Sequence, residues 1–294
     1  MTRRKARGAP IGPALLVVAA ATIQEVGAAF AVGLFTALGA AGAVFVRFAV
    51  AGVILCAAVR PRVRGLTRSA WGAVAMLACA LTVMNLCFYQ AIARIPLGIA
   101  VTIEVCGPLI LSVVLGGRIV AWLWALLAFT GVAMLGLGSD HSGASEPIGF
   151  AFAVGAAASW AAYIVATARA ANVFPKLDAL AIATCIGATA TVPLAVFSID
   201  LDAALRWDVL AMGVVVGLMS SVIPYSLELV SLRTLAPATF AVLTCLSPVI
   251  AALAGWVVLH QRLNWLDYLA ILLVTTASVG AVRSAAPTHG GAIV

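Results

Sequence analysis

The chain has 294 residues, of which 64% are hydrophobic and only 9% charged, and its formal net charge is +7. About a quarter of the residues in an ordinary soluble domain are charged, so this composition excludes a water-soluble globular protein. The surplus Lys and Arg fall in short polar stretches between apolar runs, which argues against a continuous basic face for nucleic acid.

Ten apolar segments follow one another, at about 12–34, 41–59, 70–93, 97–116, 119–138, 148–171, 179–199, 209–232, 236–259 and 265–282. Each is long enough to cross a bilayer as a helix. Helices are expected because lipid offers the backbone no partner, so a segment must satisfy its own N–H and C=O groups. The short alternating segments of a membrane barrel are not seen. The sequence thus predicts an all-α membrane protein with ten transmembrane helices. Arg3, Arg4, Lys5 and Arg7 precede an apolar run from Ile11 to Phe35, longer than a signal peptide needs, so this run is expected to stay as the first helix.

Taken in chain order, the first segment carries Gln24 and Glu25 near its middle. Arg47 lies in the second, near enough to the far surface to extend its charge outward. It could instead pair with an acid across helices, or clamp a substrate carboxylate. Asn85 and Tyr89 are four apart in the third segment and share a face, with Gln90 beside them. Such groups can line a cavity or join helices by hydrogen bonds.

The fourth segment lies within RIPLGIAVTIEVCGPLILSVVLGGR, residues 94–118. Thr102 and Glu104 stand near its centre, and Pro108 follows Glu104 by four residues. Proline lacks an N–H and crowds the carbonyl four residues back, which here belongs to Glu104. A carboxylate and a released carbonyl oxygen therefore meet at membrane depth, where an ionisable group costs about 2.5–3.5 kcal/mol on insertion scales. Such a group marks a transport pathway more often than it fills space. A structural ion pair with Arg47 is the competing role.

Trp160 and Tyr163 occupy the sixth segment. The eighth contains Gly213 and Gly217 in a G-x-x-x-G spacing, then Ser221, Pro224, Tyr225 and Glu228. Pro224 releases the carbonyl of Ser220 by the same rule. The glycine pair is expected to pack within the monomer, although a homodimer stays open. Pro248 lies in the ninth segment. All six cysteines fall inside the apolar segments without a C-x-x-C pair, as packing residues do. The three histidines are scattered outside them, so neither a metal site nor a cofactor is expected.

Placing the N-terminus in the cytoplasm puts most of the 17 Lys and Arg on that side, as the positive-inside rule requires. Both termini are then cytoplasmic. The segments also divide into two fives. Gly12, Ala14, Val17, Ala19, Ala20 and Ala21 align with Gly149, Ala151, Val154, Ala156, Ala157 and Ala158, and Pro108 and Ile110 with Pro248 and Ile250. A repeat of five spans must be inverted in the membrane, a common plan among secondary transporters. The expected organisation is a tail at 1–11, repeats at 12–138 and 148–282, a linker at 139–147 and a second tail at 283–294.

RIPLGIAVTIEVCGPL at 94–109 and PYSLELVSLRTLAPATFAVLTCLSPVIAALAG at 224–255 resemble the EamA-type carriers of the drug/metabolite transporter superfamily. ASWAAYIV at 158–165 and LGAAGAVFVRFAVAGVIL at 38–55 are similar to its threonine and homoserine exporters. The resemblance implies two inverted five-helix repeats around a central cavity and export of small amino acids driven by protons. Three positions depart from that branch: His260-Gln261 replaces a Gly-Glu pair, Ser247-Pro248 a Glu-Pro pair, and Val32 a lysine.

The leading expectation is a proton-coupled exporter of threonine-like amino acids in the inner membrane. Glu104, Glu228 and Glu25 would carry coupling. Asn85, Tyr89, Gln90, Thr102, Trp160, Tyr163, Ser221 and Tyr225 would line the cavity, and Arg47, Pro108, Pro224 and Pro248 would shape the helices. Protons, lipid and a small molecule are the expected partners. The rival transport reading is export of hydrophobic cations through Glu25 and Glu104. A lipid-modifying enzyme would want a clustered nucleophile, metal or acid–base pair near one interface, which the ionisable groups scattered near mid-depth do not supply, so no enzyme activity is expected. A passive channel would be excluded by accumulation that depends on a proton gradient.

Overall fold

The computed structural model describes residues 11–116, 119–137, 147–175, 177–232 and 243–284. The described residues form helices and turns, with no strand among them. Helices α1 (Ile11–Val32), α2 (Phe35–Val59) and α3 (Arg68–Ile92) come first. The short α4 (Leu97–Glu104) and α5 (Cys106–Gly116) follow, then α6 (Ile119–Leu137). The second half holds α7 (Pro147–Ala171), α8 (Asp178–Ser198), the single turn α9 (Leu201–Ala204) and α10 (Trp207–Gly217). A π-helical turn (Leu218–Val222) joins α10 to α11 (Ile223–Leu232), and α12 (Ser247–Leu259) and α13 (Trp265–Ser284) complete the described chain.

Among the described residues, seven helical stretches are long and apolar enough to cross a membrane, and three shorter apolar helices lie at Leu97–Leu111, Trp122–Met134 and Ser247–Leu259. Large apolar side chains such as Leu123, Phe129, Phe197 and Trp256 project outward. Water would penalise that surface and lipid does not.

Polar side chains set several helix ends. Thr67 caps α3 by accepting from the Ala70 amide at 3.2 Å. Asn264 and Asp267 cap α13 reciprocally, each side chain accepting the other's backbone N–H at 2.9 Å. The span expected at 97–116 is two helices, interrupted at Val105 three residues before Pro108. Of the segment expected at 236–259, residues 236–242 lie outside the described residues. Pro248 stands in the first turn of α12, which follows helical residues 243–244 after a two-residue turn. At that position its missing N–H removes no helical bond.

The halves interleave. Helix α2 packs on α8, α3 on α7 and α8, α1 on α11 and α12, α4 on α12 and α7, and α6 on α13. Small residues allow these approaches. A Cβ on Gly213 would come within 2.7 Å of Val46, and one on Gly217 within 2.6 Å of Val50. The G-x-x-x-G pair is therefore occupied by α2 of the same chain. A Cβ on Gly107 would collide with the Ala157 backbone, so α5 and α7 touch nearly main chain to main chain.

Candidate functional site

Among the described residues, Glu25, Arg47 and Glu104 are charged side chains buried within the bundle, from the first, second and fourth helices; Asp267, also buried, is spent on capping α13. Glu25 is 4% exposed, Arg47 5% and Glu104 9%. Each lies within electrostatic reach of the other two. No contact of ion-pair length joins Arg47 to either acid. A single guanidinium thus faces two carboxyl groups sealed from solvent, an arrangement that only function or a compensating network sustains.

Arg47 turns inward, contrary to the expectation that it extends to the surface. Its Nε donates to the Ser221 hydroxyl at 2.8 Å, and its Nη2 donates to the backbone carbonyl of Ser220. That carbonyl is the one Pro224 deprives of its helical donor. The α10–α11 backbone widens into a π turn at this point, a local form found often at functional sites. One arginine of the first half therefore completes the hydrogen bonding of a broken helix in the second. Two of its five N–H donors are engaged by protein groups of the opposite half, which gives it a structural role.

The guanidinium carbon also sits 5.6 Å from the centroid of the Tyr89 ring, within cation–π range. Tyr89 is fully buried, and its hydroxyl lacks a hydrogen bond of ordinary geometry, as does Ser220 Oγ. Tyr225, on α11, lies within electrostatic reach of Arg47. Gly27 brings α1 against the π turn: a Cβ there would lie 2.6 Å from Ser220 Oγ. The acid-bearing segment of α1 can approach only because this residue is glycine.

Other expected lining residues are spread more widely. Asn85 is buried and donates to the Leu81 carbonyl at 2.8 Å, and Thr102 donates to the Gly98 carbonyl at 2.6 Å. Both satisfy a donor on their own helix, so they add little exposed polarity. Gln90 accepts from Arg94 at 2.5 Å near the end of α3, outside the cluster around Arg47. Trp160 and Tyr163 are half-buried on α7. Glu228 belongs to α11, and its side chain lies outside the described residues.

The departure at His260-Gln261 has a structural account. His260 ends α12 in the left-handed conformation, φ 55°, where glycine is the usual residue. Gln261 Oε1 then accepts from the Leu97 amide at 3.0 Å and caps α4 from the opposite half. A glutamate at this position could accept the same bond. Sequence reading missed the roles of Gly27 and Gln261.

A separate apolar groove of about 400 Å³ runs between α12 and α13, lined by Val249, Leu253, Trp256, Tyr268, Ile271 and Leu272 among others. It contains none of the buried charges. Among the described residues no cluster of His, Cys, Asp or Glu has the makings of a metal site.

Comparison with known proteins bears on the family and the fold. The EamA-like transporter family matches residues 147–283. The threonine/homoserine exporter RhtA of Escherichia coli K12 is 34% identical over 267 residues, covering 90% of this chain and 89% of that protein. RhtA of Salmonella typhimurium LT2 matches to the same extent. A solved crystal structure superposes with a TM-score of 0.63 at 19% identity, over 93% of this chain and 98% of that one, which establishes a shared fold. An all-helical bundle with outward apolar faces, an inward arginine and this extent of similarity leads to one assignment. The chain belongs to the EamA-type carriers of the drug/metabolite transporter superfamily, beside their threonine/homoserine exporter branch.

Proposed function

We propose that this protein exports small neutral amino acids of the threonine and homoserine type from the cytoplasm, in exchange for protons. The observation that carries the proposal is the sealed set of Glu25, Arg47 and Glu104, built from three helices of the first half and fastened by Arg47 to the π turn of the second. One guanidinium can balance one carboxylate. The second carboxyl is left to be neutralised by a proton or by the ammonium group of a substrate, and alternation between those two is the elementary step of exchange. The Tyr89 and Ser220 hydroxyls, buried without ordinary partners, are donors within the same region for a substrate carboxyl. The curated relatives named for threonine and homoserine export support that substrate class.

The described charges are closed off, so transport requires the halves to open on one side at a time. The packing supports two inverted five-helix repeats. If α4–α5 and α10–α11 are each counted as one span, exchanging the halves sends the α3·α7 contact onto α1·α11 and the α1·α12 contact onto α4·α7. Contacts α2·α8, α4·α12 and α6·α13 map onto themselves. Rocking of one half against the other about this pseudo-symmetry is the proposed motion. Both termini face the cytoplasm in the inner membrane, as the distribution of Lys and Arg requires.

The test is proton release from inside-out vesicles on adding threonine, homoserine or a quaternary ammonium dye. The expected result is release with the two amino acids that vanishes in Glu104→Gln. A second reading, export of hydrophobic cations, is favoured by Glu25 standing within electrostatic reach of Glu104. Release with the dye alone, lost in Glu25→Gln, would establish that reading in place of the first.

A further inference from the structure

Cys56 and Cys185 take no part in the acid cluster. Cys56 lies one turn from the end of α2, and Cys185 lies two turns into α8. Their sulfur atoms are 3.5 Å apart, and the Cys56 thiol also reaches the Ala181 carbonyl of α8 at 3.8 Å. Both are free thiols and both are half-buried, so neither is enclosed by the core. The approach is built into the helix faces. Gly52 stands one turn before Cys56, and a Cβ there would lie 3.0 Å from the Cys185 sulfur and 3.6 Å from its Cα. Helices that come this close bring cysteine backbones into the range a disulfide can span.

The partners belong to different halves, and the α2·α8 interface is among the most extensive between them. We propose that Cys56 and Cys185 form a peroxide-oxidisable dithiol whose disulfide ties the two halves together and halts transport until it is reduced. In the first step one thiol reacts with a hydroperoxide to give a sulfenic acid, the peroxide leaving as water or alcohol. The second thiol then attacks that sulfur, forming the S–S bond and releasing water. Each disulfide consumes one peroxide and two thiol hydrogens. Under the proposed orientation the pair lies toward the cytoplasmic side, where thiols are kept reduced, so the bond would be transient. The halted-transport part rests on the exchange reading above.

The experiment treats full-length protein in inside-out vesicles with hydrogen peroxide, at a dose that oxidises glutathione added to the same vesicles. Non-reducing digestion and mass spectrometry should find a peptide pair joining Cys56 to Cys185. The pair should vanish with dithiothreitol and be absent from Cys56→Ser and Cys185→Ser. Recovery of both residues as alkylatable thiols at that dose overturns the proposal, whatever the protein exports. Threonine-driven proton release should be lost on oxidation, return with dithiothreitol, and persist in peroxide-treated Cys56→Ser. Release that continues with the disulfide formed overturns the tie between halves. Vesicles that respond to no substrate before oxidation count against the exchange reading alone, and the linkage is still decided by mass.

Discussion

Pro108 and Pro224 each orphan a carbonyl four residues back, as Pro193 does within α8, and the first two breaks are resolved differently. In the first half, Pro108 follows Glu104 and the helix divides at Val105 into α4 and α5. In the second, Pro224 follows Ser220 and the helix continues through a π turn. The difference lies in what the opposite side supplies. Arg47 reaches the Ser220 carbonyl and the Ser221 hydroxyl, so the backbone there is held by a side chain from the other half. At Glu104 the nearest device is tight packing of Gly107 on Ala157, and the carboxyl remains near Arg47 without being gripped by it. One broken helix is thus fastened, and the other keeps a carboxyl uncommitted. Proline chemistry is the same in both, and the tertiary neighbour decides whether the break is structural or available for work.

The largest effect should come from removing the uncommitted group. Glu104→Gln is expected to reduce substrate-driven proton release in vesicles to background, with the protein still folded by thermal unfolding. Arg47→Ala attacks the fastened helix. It removes a buried charge partner and leaves the Ser220 carbonyl unpaired, a loss of about 3 kcal/mol measurable as a lower unfolding midpoint in detergent. Arg47→Lys should recover only part, because an ammonium cannot reproduce the forked donation.

Gly107→Ala should cost about 2 kcal/mol by pushing α5 off α7, again read from unfolding. Pro224→Ala sharpens the comparison further. It restores the N–H that Ser220 lacks, so in the Arg47→Ala background it should return about 1 kcal/mol while doing less in the wild type. A double-mutant cycle with no coupling would show that Arg47 does not substitute for the missing helical bond. The smallest effect is expected at His260→Gly, which relieves a left-handed residue and should stabilise by about 1 kcal/mol.

Much of this was legible because it is local. Pro224 marked the Ser220 carbonyl without any knowledge of the fold, since the four-residue relation belongs to the helix. The Gly213–Gly217 spacing announced a close approach, and α2 is the helix that uses it. Segment lengths, the outward apolar faces and the family resemblance followed from hydropathy and short motifs. The direction Arg47 takes was not legible: its position allowed an outward reach, and its inward partners Ser221 and Ser220 lie 174 and 173 residues away in the chain.

The sequence by itself determined that this chain lives in lipid, that it is helical, where its helices weaken and to which family it belongs. These depend on composition and on relations within a few residues. Only the tertiary structure decided that Glu25, Arg47 and Glu104 come within electrostatic reach of one another, that Arg47 fastens the π turn, that Gln261 caps α4 and that Cys56 faces Cys185. Those contacts join residues far apart in the chain. Lipid selects apolar segments without specifying their neighbours, so which helix faces which is settled by side-chain size and hydrogen bonding at each crossing.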